Sequence, residues 1–136
     1  KRIYKTAQTI SRQEAKALQS LCPPEELGQG TLAEELALKF RSEGIRPMVL
    51  VDYDRTPFVC RDGNTRITLD ENLRTRPYCH QLQASPHAMI PVLEPEQVIL
   101  EVKFDDFLPS YLASALADIP KVNMAISKFA LCMSFI

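Results

Sequence analysis

Apolar and polar positions along this chain recur with two periods, one helical and one that alternates. Ser11 with Glu14 three residues on reads as a capping box opening a helix to about Leu21, stopped by Pro23 and Pro24. The β-branched and aromatic types of Arg2 to Ile10 predict a strand feeding that helix. Thr31 with Glu34 repeats the capping pattern ahead of the stripe Leu32, Leu36, Phe40, so a second helix is expected to end near Gly44. After Pro47 the pattern changes: Met48 to Arg55 reads as a strand and Phe58 to Cys60 as a short strand. Asp62-Gly63 reads as a hairpin-type turn into Thr65 to Asp70, which together make an antiparallel meander. Arg76 to Pro95 holds four of the ten prolines and little periodicity, as a long loop or irregular crossover does. Val98 to Asp105 predicts another strand, Pro109 opens a helix over Tyr111 to Leu116, and Ala125 to Met133 predicts a largely buried terminal helix.

Side chains alternate faces along a strand, so parity sorts each segment into two sides. In the strand beginning at Asn64, the even positions Asn64, Arg66, Thr68 and Asp70 are polar, while Ile67 and Leu69 lie opposite with Thr65. From Val98 to Asp105, Glu101, Lys103 and Asp105 share one face and Leu100, Val102 and Phe104 the other. One side is expected to pack and the other to carry charge. Arg55 shares a face with Val49, Val51 and Tyr53, so parity leaves its orientation open; Lys1, Ile3 and Lys5 lie opposite Arg2 and Tyr4. A single polar face is ordinarily the solvated side of a half-buried antiparallel sheet. Several strands that set Arg or Lys beside a carboxylate make a different pattern, suited to a polyanion with a divalent cation. Arg forks onto phosphate oxygens, Lys adds point charges, and a carboxylate holds magnesium or manganese. Lys128 is the lone charge between Met124 and Ile136, and an ammonium on a buried helix needs an anionic partner unless its stem snorkels to water.

Composition narrows the classes. With 136 residues, 46% of them hydrophobic, the chain fits one packed domain, 1–136. Its formal charge of −1 lacks the basic footprint of a nucleic-acid binder, so any cationic site is local. The longest apolar run, Phe129 to Ile136 interrupted by Ser134, is far short of the ~20 residues a membrane span requires. Cys22, Cys60, Cys79 and Cys132 contain no CxxC pair and read as reduced thiols; Cys79-His80 and His87 lack the partners of a zinc site. Neither GxxxxGK nor GxGxxG occurs, so side chains rather than a glycine loop must hold any phosphate. GxSxG, HExxH and a supported Cys-His dyad are missing as well, which argues against an activated nucleophile. No leader is recognisable after Lys1, and the cytoplasm is the expected compartment.

In order along the chain, Tyr53-Asp54-Arg55-Thr56-Pro57-Phe58, Thr65-Arg66-Ile67-Thr68-Leu69-Asp70, Leu100-Glu101-Val102-Lys103-Phe104 and Ser127-Lys128-Phe129 resemble the VTC domain. This is the polyphosphate polymerase domain of the vacuolar transporter chaperone complex and its bacterial relatives, within the CYTH or triphosphate tunnel superfamily. The resemblance implies an α+β fold in which an antiparallel sheet, flanked by helices, forms part of a triphosphate-tunnel β-barrel lined by Lys, Arg and Glu. It implies Arg55 and Arg66 as phosphate ligands, Glu101 as the metal ligand for Mg2+ or Mn2+, and Lys103 as an interior basic residue. Ser127 and Lys128 match the SK motif that contacts phosphate, with Arg55, Arg66 and Lys128 as the catalytic set. Lys5 matches the family lysine on the strand before the first helix, with Thr6 where an arginine is often found. The family's early strands, with their ExExK-like, RxR and LExK patterns, have no counterpart here, so the chain is expected to be the C-terminal portion of the domain. A homodimer or a further N-terminal segment is then expected to complete the tunnel, since an open sheet leaves edge strands to pair.

The activity so implied is transfer of the γ-phosphate of ATP, or of another nucleoside triphosphate, to a growing polyphosphate chain, with this chain expected to be inactive alone. Two rivals are a triphosphatase of the same superfamily, using a tunnel carboxylate to orient water, and a polyanion-binding module without turnover.

Overall fold

The computed structural model describes residues 5–19, 32–77 and 88–136. Residues 5–11 form no regular element, so the strand expected up to Ile10 is absent from its described part. The capping box at Ser11 is present in both directions and starts α1 (Arg12–Gln19): the Ser11 N–H donates to Glu14 Oε2 at 2.7 Å, and the Glu14 N–H to Ser11 Oγ at 3.1 Å. α2 spans Leu32–Ser42, and its first N–H, on Leu32, donates to Gln8 Oε1 at 2.6 Å. Thr31, the expected cap, and the stop at Pro23 and Pro24 lie outside the described residues. Ala33 and Ala37 of α2 pack with Ile10, Ala17 and Leu18 as one small apolar cluster.

The main body is an antiparallel sheet. β1 (Val49–Cys60) turns through a short 3-10 segment, Asp62–Asn64, into β2 (Thr65–Pro77). β2 then pairs with the two-residue β3 (Ile90–Pro91) at its far end and with β4 (Ile99–Lys103) near the turn. Both long strands run past the expected limits. Proline at position 57 does not break β1 because, among the described residues, β1 is an edge strand hydrogen-bonded to β2 alone, and a sheet edge tolerates the missing N–H. β2 continues through Arg76 into the stretch expected to be loop; Cys79, His80 and His87 lie outside the described residues. Among the described residues the four-stranded sheet does not close on itself, so the antiparallel sheet with flanking helices is present and closure into a barrel is not seen.

A bulge sets which residues share a face. Asp52 pairs with Arg74 but Asp54 with Glu71, so Asn72 and Leu73 together oppose Tyr53. Asn72 takes the left-handed conformation (φ 51°), which asparagine tolerates well, and donates from Nδ2 to Asp54 Oδ2 at 2.9 Å. Past the bulge the face that carried Arg66, Thr68 and Asp70 continues as Leu73 and Thr75. Leu73, Ile99 and Cys132 are buried together there against Val49, Val51, Tyr53 and Leu131.

Two terminal helices follow, α3 (Ser110–Ala117) and α4 (Lys128–Met133). α4 is shorter and more exposed than the expected buried helix from Ala125. Ser127 caps it, accepting from the Ala130 N–H at 3.2 Å, and Cys132 is its one buried residue. Packing and charge are therefore not divided between opposite sides of the sheet, as alternation suggested. α4 covers the Leu73 end of one face, and the charged residues occupy the other end of that same face. On the opposite side Ile67, Leu69, Leu100 and Val102 are half-buried, while Phe58 and Phe104 are exposed.

Candidate functional site

Cross-strand register brings the charges together. Arg66 lies opposite Lys103, Thr68 opposite Glu101, Asp70 opposite Ile99 on one flank and opposite Arg55 on the other. Residues directly opposite in an antiparallel pair share a face, so β1, β2 and β4 present these side chains on one side of the sheet. Arg55, Arg66, Thr68, Glu101 and Lys103 line a shallow recess there.

Asp70 is fully buried behind Arg55. Arg55 grips it with both arms of the guanidinium, Nε to Oδ1 at 2.6 Å and Nη2 to Oδ2 at 2.7 Å. Lys128 arrives from α4 with Nζ 2.6 Å from Oδ2, which supplies the anionic partner that an isolated lysine in this segment required. Both cations also lie over the Tyr53 ring, Arg55 at 5.0 Å and Lys128 at 5.1 Å from its centre. The Arg55 bond and then Lys128 hold the Asp70 carboxyl below its usual range against the opposing effect of burial. In return the same bond raises the Arg55 guanidinium above its ordinary value.

Glu101 occupies the open part. Its Oε1 takes Lys103 Nζ at 2.7 Å, while Oε2 stands 4.0 Å from Arg55 Nη2. Lys103 is the main reason the Glu101 carboxyl is lowered. Four cations, Arg55, Arg66, Lys103 and Lys128, thus meet two carboxylates, a local positive excess in a chain of formal charge −1. Thr68 Oγ1 is buried in this cluster without a hydrogen-bond partner, an expensive arrangement unless a ligand or water completes it.

The sequence-derived residues divide into two groups. Arg55, Arg66, Glu101, Lys103 and Lys128 converge. Lys5 is exposed in the segment before α1 and does not line the recess, and the Ser127 hydroxyl is engaged as the α4 cap. Asp70, Thr68 and Tyr53 are members of the cluster that residue reading did not single out. Alternation did place Thr68 and Asp70 beside Arg66, but no local signal marked Asp70 as a buried counter-ion.

Among the described residues no group of three or more His, Cys, Asp or Glu side chains could cage a metal. Both Asp70 oxygens are engaged, and Lys103 takes Glu101 Oε1, which leaves Glu101 Oε2 as the carboxylate oxygen of the cluster that could serve a hard divalent cation such as Mg2+ or Mn2+. No helix among the described residues is long and apolar enough to cross a membrane.

The fold and the cluster define an α+β protein whose antiparallel sheet gathers guanidinium and ammonium groups with two carboxylates on a single face. The VTC domain family model matches residues 1–136, and the chain belongs to that family. No curated protein and no solved structure matches it.

Proposed function

We propose that this chain is a phosphate-binding wall of a polyphosphate polymerase domain, taking a nucleoside triphosphate such as ATP and a polyphosphate chain as ligands. The observation that carries the reading is the convergence of Arg55, Arg66 and Lys103 from β1, β2 and β4 around one recess, with Lys128 from α4 joined to Arg55 through Asp70. Arg55 and Arg66 would fork onto phosphate oxygens, and Lys103 and Lys128 would neutralise neighbouring ones. Glu101 would hold a divalent metal, whose charge would offset that of the phosphate groups.

The transfer needs no protein nucleophile. A terminal oxygen of the acceptor chain attacks the γ-phosphorus of ATP, the bond to the β–γ bridging oxygen breaks, and ADP leaves with that oxygen. Positioning and charge neutralisation are the contributions available to these residues.

Calorimetry with tripolyphosphate, paired with incubation in ATP and manganese and sizing of the products, tests the proposal. Tripolyphosphate binding is expected of this chain, and phosphate chains longer than those supplied are expected once the tunnel is complete. ADP and phosphate without polymer support a triphosphatase instead. Tripolyphosphate binding without any turnover supports the binding-module reading, which the open sheet favours. Arg66→Ala is expected to weaken tripolyphosphate binding by about 1.5–3 kcal/mol, as for a lost hydrogen bond to a charged group. Unchanged affinity removes Arg66 from the site.

A further inference from the structure

Asp70 poses a question that phosphate binding alone does not answer. A carboxylate at the centre of a cationic site repels the very ligand that the cations attract, and this one is fully buried. Stability is a weak reason for keeping it, because a buried ion pair replaced by packed apolar side chains is often no less stable. What the carboxylate supplies is orientation.

Arg55 has five N–H donors and commits two to Asp70, in a planar fork that permits one geometry. Three remain. The Lys128 ammonium has three donors and commits one, leaving two. The two cations come from separate elements, an edge strand and a six-residue terminal helix, and each ends a long side chain with many rotamers. Freezing such a side chain costs rotamer entropy, a cost met on folding rather than on binding if a fixed anion holds it beforehand.

We propose that Asp70 is a positioning residue of the phosphate site, its buried carboxylate fixing Arg55 and Lys128 so that their uncommitted donors are already set for phosphate oxygens. The inference rests on the reading of this recess as a phosphate site. It assigns Asp70 no contact with the ligand. The carboxylate acts through the two cations and keeps both bonds when the site is filled.

Asp70→Asn separates orientation from charge, because it preserves the shape of the side chain while making the site more positive. If attraction alone governed binding, the variant would take up anions more tightly. Loss of the fixed geometry instead predicts tripolyphosphate binding weaker by roughly tenfold or more, with the fold checked by circular dichroism and thermal melting. Equal or tighter binding by a folded variant overturns the proposal. The wild-type protein supplies a second measurement that does not depend on the variant folding. The Arg55 Nε–H, bonded to Asp70 at 2.6 Å, is expected to give a slowly exchanging 15N-correlated proton signal in the free protein, and to keep it at saturating tripolyphosphate. Disappearance of that signal on saturation means that Arg55 releases Asp70 to reach the ligand, and overturns the proposal. Wild-type protein that fails to bind tripolyphosphate overturns the phosphate-site reading itself, a result distinct from either of these.

Discussion

Asp70 also ties stability to acidity. Its carboxyl is held below the usual range by Arg55 and then Lys128, so the folded state releases this proton more readily than the unfolded chain. The stability that follows is complete above the unfolded value of about 3.9 and is lost as pH falls toward the lowered folded value. Glu101, lowered chiefly by Lys103, works in the same direction. Urea midpoints measured at decreasing pH are therefore expected to drop below about pH 4. A flat profile through that range would show that the Asp70 cluster contributes no differential proton affinity. Thr68 illustrates a different residue-level economy. Its buried hydroxyl has no protein partner, a standing cost in the fold that a hydrogen-bonding atom in the recess would remove.

Among the elements, the β1–β2 turn sets the register of the site. Gly63 is in the left-handed region at φ 63°, and a Cβ there would collide with the Phe107 carbonyl oxygen. Its own carbonyl accepts from the Asp105 N–H at 3.1 Å, and Asn64 Nδ2 donates to Asp105 Oδ2 at 2.8 Å. These contacts tie the turn to the residues that follow β4, near the Arg66–Lys103 pair. Gly63→Ala is expected to destabilise the protein by about 1–3 kcal/mol, from the strained backbone and the displaced Phe107 segment. Thermal and urea unfolding measure it, and an unchanged midpoint would mean that the turn relaxes freely. The bulge at Asn72 matters at the same scale. Without the extra residue, Leu73 and Thr75 would fall on the face opposite Asp70, since a slip of one residue exchanges the two faces of a strand.

Across the whole molecule, one face of one sheet is shared between a small apolar core and a charged recess. Leu73, Ile99 and Cys132 fill the covered end under α4, and Tyr53 stands at the boundary, packed on the core and beneath Arg55 and Lys128. The core therefore supports the site directly, because α4 delivers both Cys132 to one and Lys128 to the other. Leu73→Ala is expected to cost about 2–5 kcal/mol, the range for emptying a buried leucine position. A shift of the urea midpoint measures the loss, and a cost within a few tenths of a kcal/mol would place the stabilising core elsewhere. The outer side of the sheet is less complete: Phe58 and Phe104 remain exposed beyond the half-buried Ile67–Val102 pair, and one side of β1 carries no strand among the described residues.

By itself the sequence determined the local features. The Ser11–Glu14 box, the Asp62-Gly63 turn, the strand pairing around it and the even-numbered polar face of β2 all arise from neighbouring residues, so they could be read without the fold. The ordered motifs around Arg55, Arg66, Glu101 and Lys128 likewise marked the family. Tertiary structure decided what those local signals cannot contain. Alternation could not turn Arg55 toward either face, nor foresee that the Asn72 bulge would carry the Arg66 face onward into the apolar core. It treated Asp70 as one polar position among four, because complete burial depends on Arg55 from β1 and Lys128 from α4 arriving together. Charge spacing along a strand is a local property, whereas the meeting of an anion with two cations far apart in the chain depends on how separate elements pack.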